Sequence, residues 1–131
     1  MAYIKEFLLS RYRSFENAFR GLWFVIKTQK NAWLHAIMTT LVILLAIGLQ
    51  LPARDWAVLL LTMALVWSAE FFNTAIEAVV DLASPVQHPL AKTGKDVGAA
   101  AVLIAALAAV LVGLLILGPP LWERLSFYFS N

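Results

Sequence analysis

The chain has 131 residues, 62% of them hydrophobic and only 14% charged, where a soluble domain is roughly one-quarter charged. Its net charge of +2 is small, and the basic residues cluster at the edges of apolar blocks, so no nucleic-acid partner is indicated. The absence of cysteine excludes a disulfide framework, a thiol nucleophile and a thiolate metal site.

The opening residues Met-Ala-Tyr-Ile-Lys-Glu lack the short apolar core and small-residue cleavage site of a secretory signal, so the first span is expected to insert the chain. Over residues 3–27, Ile4, Phe7, Leu8, Tyr12, Phe15, Phe19, Leu22, Trp23 and Ile26 recur at a spacing of three and four, a helical period. Lys5, Ser10, Arg13, Asn17 and Arg20 fill much of the opposite side. Such a basic, aromatic helix fits one lying in the headgroup plane. A polar break at residues 27–31 precedes the first span, residues 32–51, with His35 one turn inside as a hydrogen-bonded interfacial residue. Pro52 breaks the chain, and residues 56–80 make the second span.

Residues 82–94 form the second loop, in which Ser84-Pro85 and His88-Pro89 mark irregular backbone. The third span, residues 97–117, is rich in alanine with Gly98 and Gly113, small residues that let helices approach closely in lipid. Gly118-Pro119-Pro120 is expected to end it, leaving residues 121–131 as an aromatic tail. The fold class is therefore all-α: one integral membrane domain over residues 1–131, with three transmembrane helices behind an amphipathic surface helix. Six of the ten Lys and Arg residues lie before residue 31, and Lys92 and Lys95 lie in the second loop. The positive-inside rule puts both regions in the cytoplasm.

The second span ends in an unusual way. At 3.6 residues per turn, Glu70, Asn73, Glu77 and Asp81 share an arc of roughly 80°. Carboxylates in or beside a bilayer are costly and mark functional sites. With the second-loop lysines they suit phosphoryl transfer: Mg²⁺ bridges carboxylates to phosphate, lysine neutralises phosphate charge, and a carboxylate accepts a hydroxyl proton. Glu70 and Asp81 are separated by about 16 Å along the axis, which suits a lipid acceptor at the deep end and a nucleotide at the shallow end. Gly94-Lys95 lacks the rest of a Walker A loop, so generic nucleotide-binding architectures are unsupported. From the residues alone, a proton- or ion-relaying transport subunit stays open.

The segment Glu70-Phe71-Phe72-Asn73-Thr74-Ala75-Ile76-Glu77-Ala78-Val79-Val80-Asp81 closely resembles the signature E-x-x-N-[ST]-[SA]-I-E-x-x-x-D of the small bacterial diacylglycerol kinase and undecaprenol kinase family. Residues 95–104, Lys-Asp-Val-Gly-Ala-Ala-Ala-Val-Leu-Ile, resemble its second block at the expected distance. The resemblance implies a homotrimer in the bacterial inner membrane that uses Mg-ATP to phosphorylate a lipid alcohol. It implies Glu70 as general base and Asn73 as the residue aligning the hydroxyl or γ-phosphate. Glu77 becomes the principal metal ligand, Asp81 a nucleotide contact, and Lys95 and Asp96 phosphate and nucleotide residues. Gln29 stands where the family commonly has a second metal-ligating glutamate near the nucleotide, and Trp33 where an arginine is common. Gln29 offers a carbonyl oxygen without the charge, which implies altered Mg²⁺ dependence or a catalytically silent member. Residues 31–35 and 88–92 look more like the undecaprenol branch.

Overall fold

Four helices follow one another in the computed structural model, which describes residues 2–130: α1 (Ala2–Thr28), α2 (Lys30–Gly48), α3 (Ala53–Ala83) and α4 (Pro89–Phe129). The last three are long and apolar enough to cross a membrane.

In α1 the aromatic and aliphatic stripe stays uncovered: Phe7, Phe15, Phe19 and Trp23 are exposed, and Val25 is the single buried α1 residue among those described. The polar side is braced locally by a 2.5 Å ion pair between Arg20 and Glu16, one turn apart. Only Gln29 interrupts the helical run between α1 and α2, with extended backbone at φ −97° and ψ 120°.

The end of α2 shows how a short turn can be specified without glycine. Gln50 takes a left-handed φ of 54°. Its N–H donates to Ile47 O at 3.0 Å, and that of Leu51 donates to Ala46 O at 3.1 Å. This pairing is a Schellman motif, and its usual apolar contact is present, because Ala46 and Leu51 are both buried in one cluster. Arg124 from the far end of α4 donates to Gly48 O, occupying another carbonyl that the helix leaves free. Pro52 then precedes α3 as its N-cap, with extended backbone at φ −69° and ψ 157°.

Contacts in reverse order establish that the spans alternate in direction. His35 faces Glu70, Thr39 bonds Trp67, and Ala46 packs with Leu59, so α2 and α3 are antiparallel. Likewise Gly98 meets Asn73 while Leu117 joins Leu59, so α3 and α4 are antiparallel, and they form the most extensive helix pair. The apolar cluster of Ala46, Leu51, Leu59 and Leu117 closes one end of the bundle. The polar residues occupy the other end.

Two breakers act differently from the sequence expectation. His88 and Pro89 start α4 rather than lying in a loop: the Leu90 N–H donates to His88 Nδ1 at 3.2 Å, and Pro89 occupies the first turn, where its missing N–H costs nothing. The connection between α3 and α4 thus shrinks to residues 84–88. Gly118-Pro119-Pro120 does not end the third apolar helix, since α4 runs through it to Phe129. Proline's φ is already helical, and apolar helices absorb the lost hydrogen bonds through local adjustment. Arg124 anchors the continuation to α2. At 1.5 Å per residue, the 41 residues of α4 extend about 60 Å, twice the hydrocarbon thickness. Its charged groups lie accordingly towards the two ends, with Lys92, Lys95 and Asp96 at one and Glu123 and Arg124 at the other.

Candidate active site

The acidic face of α3 is graded in depth. Glu70 is 1% exposed and Asn73 6%, Glu77 is half-buried, and the Asp81 side chain is 65% exposed. The helical period puts these residues on one side, and packing against α2 and α4 covers only the deep end.

At that deep end Glu70 meets His35 of α2, with Oε2 and Nε2 3.7 Å apart, beyond hydrogen-bonding distance. Both atoms are buried and lack a hydrogen-bond partner among the described residues. The imidazole sits edge-on to Trp67, with ring centres 6.2 Å apart. Trp67 is itself held by a 3.2 Å bond from its Nε1 to Thr39 Oγ1. Thr74 donates its hydroxyl to the Glu70 carbonyl at 2.9 Å, so this neighbour is satisfied within its own helix.

One turn further, Asn73 Nδ2 donates to Glu77 Oε1 at 3.0 Å. Across from Asn73 the α4 backbone is bare at Gly98, where a Cβ would collide with Asn73 Oδ1. Near the mouth, Lys95 Nζ lies 2.6 Å from Asp81 Oδ1, tying the start of α4 to the end of α3. The structure thus brings together Glu70 with His35, Asn73 with Glu77, and Asp81 with Lys95. Asp96 is exposed on α4 and Gln29 half-buried at the α1–α2 junction, and neither side chain makes a hydrogen bond or ion pair among the described residues. Trp33 is exposed.

His35, Gly98 and Trp67 escaped the sequence reading as site residues. Gly98 had a signal, as a small residue in an apolar helix. His35 had only its chemistry, because its partner lies 35 positions away.

The donor set fits magnesium of one kind. No group of three or more His, Cys, Asp or Glu side chains converges among the described residues. Glu77 keeps its second oxygen free of protein partners there. Magnesium commonly binds through one or two carboxylates together with substrate phosphates and water. A nucleotide-borne Mg²⁺ suits Glu77; a protein cage is not present among the described residues.

Comparison with known proteins identifies the family. The family described as prokaryotic diacylglycerol kinase matches residues 16–117. The chain belongs to that family. Among its curated relatives, an undecaprenol kinase from Bacillus subtilis is 37% identical over 84% of this chain and 89% of its own length. A diacylglycerol kinase from Synechocystis is 47% identical over 82% of this chain, which spans only 62% of that relative. A diacylglycerol kinase from Escherichia coli is 34% identical over 70% of this chain and 80% of its own length. The matched region of this family member contains every candidate residue from Gln29 to Asp96.

Proposed function

We propose that this lipid kinase transfers the γ-phosphoryl group of ATP to the hydroxyl of a membrane lipid, undecaprenol ahead of diacylglycerol, at the cytoplasmic face of the bacterial inner membrane. The observation that carries this reading is the depth gradient on α3: a fully buried carboxylate at Glu70, a half-buried one at Glu77 and an exposed ion pair at Asp81 and Lys95. A lipid hydroxyl reaches such a site from the bilayer side and a nucleotide from water. The preference for undecaprenol rests on the branch-like residues 31–35 and 88–92, and on the undecaprenol kinase relative matched along nearly its whole length.

Glu70 accepts the proton of the lipid hydroxyl, whose oxygen forms a bond to the γ-phosphorus as the bond to the β–γ bridging oxygen breaks and ADP leaves. Asn73 aligns the incoming hydroxyl or the γ-phosphate and holds Glu77 through their hydrogen bond. Glu77, with the Gln29 carbonyl oxygen, would hold Mg²⁺. When bound, the ion would offset the negative charge that develops on the phosphate. Lys95 neutralises phosphate charge, while Asp81 and Asp96 contact the nucleotide. The excess of Lys and Arg in α1 and around Lys92 and Lys95 supports a cytoplasmic N-terminus. The uncovered apolar stripe of α1 supports a position on the membrane surface, and the family resemblance supports a homotrimer.

The test offers γ-labelled ATP with undecaprenol and diacylglycerol side by side to detergent-solubilised protein. Label should pass to undecaprenol faster, and Glu70→Gln should lower transfer by on the order of 10³-fold. Nucleotide-independent ion flux in liposomes, with no labelled lipid, would instead favour a transport subunit.

A further inference from the structure

Two buried polar atoms face each other across the α2–α3 contact without a hydrogen bond among the described residues: His35 Nε2 and Glu70 Oε2. Their separation of 3.7 Å is too long for a direct bond. It is not too long to share a third atom. Both atoms are sealed from solvent, but an oxygen admitted off the line between them by a small shift of the surrounding side chains would reach both at roughly 2.8 Å, an ordinary hydrogen-bond length. The side chains are well shielded, 11% exposed for His35 and 1% for Glu70, so leaving both atoms unpaired is unfavourable. The imidazole is also fixed in direction, being set edge-on to Trp67, which Thr39 holds from the same face of α2.

The chemistry of the pair is complementary. A carboxylate only accepts, and a neutral imidazole with its proton on Nε2 only donates there. A hydroxyl both donates and accepts, so it satisfies the two together; an ether oxygen satisfies only the imidazole, and a hydrocarbon neither.

We propose that His35 is a second contact for the acceptor hydroxyl, donating from Nε2 to the lipid oxygen while Glu70 accepts its proton. The inference rests on the lipid-kinase reading above and adds a residue to it. No proton leaves His35 in the step: the hydroxyl proton passes to Glu70, and the imidazole bond holds the oxygen in line. The pair recognises the alcohol group itself, whatever chain carries it.

The experiment compares wild type, His35→Leu and His35→Gln in detergent, with separate KM values for the lipid alcohol and for ATP. His35→Leu should raise the lipid KM about tenfold, the loss expected for one hydrogen bond, with the ATP KM unchanged. His35→Gln keeps an N–H donor and should recover most of that loss. A binding measurement independent of turnover uses two inhibitors, the O-methyl ether of the lipid and its deoxy analogue. Wild type should bind the ether more tightly, and His35→Leu should bind both alike. Equal lipid KM values for wild type and His35→Leu overturn the inference, as does an ether preference that survives the substitution. So does a parallel loss of lipid and ATP affinity that glutamine fails to restore, which would make His35 a packing partner of Trp67. If wild type phosphorylates neither lipid alcohol, the lipid-kinase reading fails first and the inference falls with it.

Discussion

Asn73 on α3 and Gly98 on α4 are matched in size: the amide oxygen of the first fills the space that a side chain on the second would need. The same amide donates to Glu77 at 3.0 Å. Gly98→Ala must therefore move a buried side chain or part the two helices. Overpacking of this kind costs about 1–3 kcal/mol, and displacing Asn73 also releases Glu77. Activity should fall at least tenfold or so, and the melting temperature in detergent should drop. In Gly98→Ala with Asn73→Ala the collision disappears, so the melting temperature should lie above the value expected from adding the two single effects. Simple additivity would show that the two residues do not compete for space.

Lys95 and Asp81 allow binding to be separated from stability. Their 2.6 Å contact is well exposed, with 38% of the lysine side chain and 65% of the aspartate open. Exposed pairs contribute less than about 1 kcal/mol, so Lys95→Ala should leave the melting temperature nearly unchanged. If Lys95 neutralises phosphate charge as proposed, its loss should cost catalysis much more, on the order of 100-fold in kcat/KM for ATP. Raising the salt concentration should weaken nucleotide binding by the wild type more than by the variant. A variant that melts early and keeps its kcat/KM would assign Lys95 to the scaffold.

Gln50 offers a stabilising change far from the site. Its φ of 54° lies in the left-handed region, where a side chain costs about 1–2 kcal/mol and glycine nothing comparable. The Schellman hydrogen bonds use only backbone atoms, and the apolar contact is made by Leu51 and Ala46. Gln50→Gly should raise the stability by roughly 1 kcal/mol, with glycine's greater unfolded freedom taking back part of the gain. Transfer activity should be unchanged. Thermal unfolding in detergent and the standard transfer assay are sufficient to check both halves.

The parts of this protein visible in its sequence are those encoded by local period. Three apolar helices behind an amphipathic one follow from composition and spacing, and the shared face of Glu70, Asn73, Glu77 and Asp81 follows from the 3.6-residue turn. The family signature then attached roles to those positions. What sequence reading missed depends on contacts between helices or on context. His35 meets Glu70 only because α2 and α3 run antiparallel at one register. Pro119 and Pro120 read as a stop, yet α4 continues because its flanks keep packing, with Leu117 in the core and Arg124 on the end of α2. His88 and Pro89 carry a start signal for α4, a cap followed by a first-turn proline, which in sequence is indistinguishable from a loop breaker.

Gln29 gives the last prediction, on metal dependence. It is the lone non-helical residue between α1 and α2, and its side chain is not used to cap α2. The amide is therefore available to a ligand, but it supplies a neutral oxygen where the family commonly supplies a carboxylate. If that oxygen reaches the metal, Gln29→Glu adds a full negative charge beside a divalent cation. The half-saturating Mg²⁺ concentration should then fall on the order of tenfold, equivalent to about 1.4 kcal/mol, a modest figure because the site is open to water. The kcat at saturating Mg²⁺ should change little or rise, since Glu70 and Lys95 are untouched. Gln29→Ala should move the titration the other way, by less, because only a dipole is lost. Mg²⁺ titrations of the three proteins at fixed ATP distinguish these outcomes. Coincident curves would place Gln29 outside the metal shell.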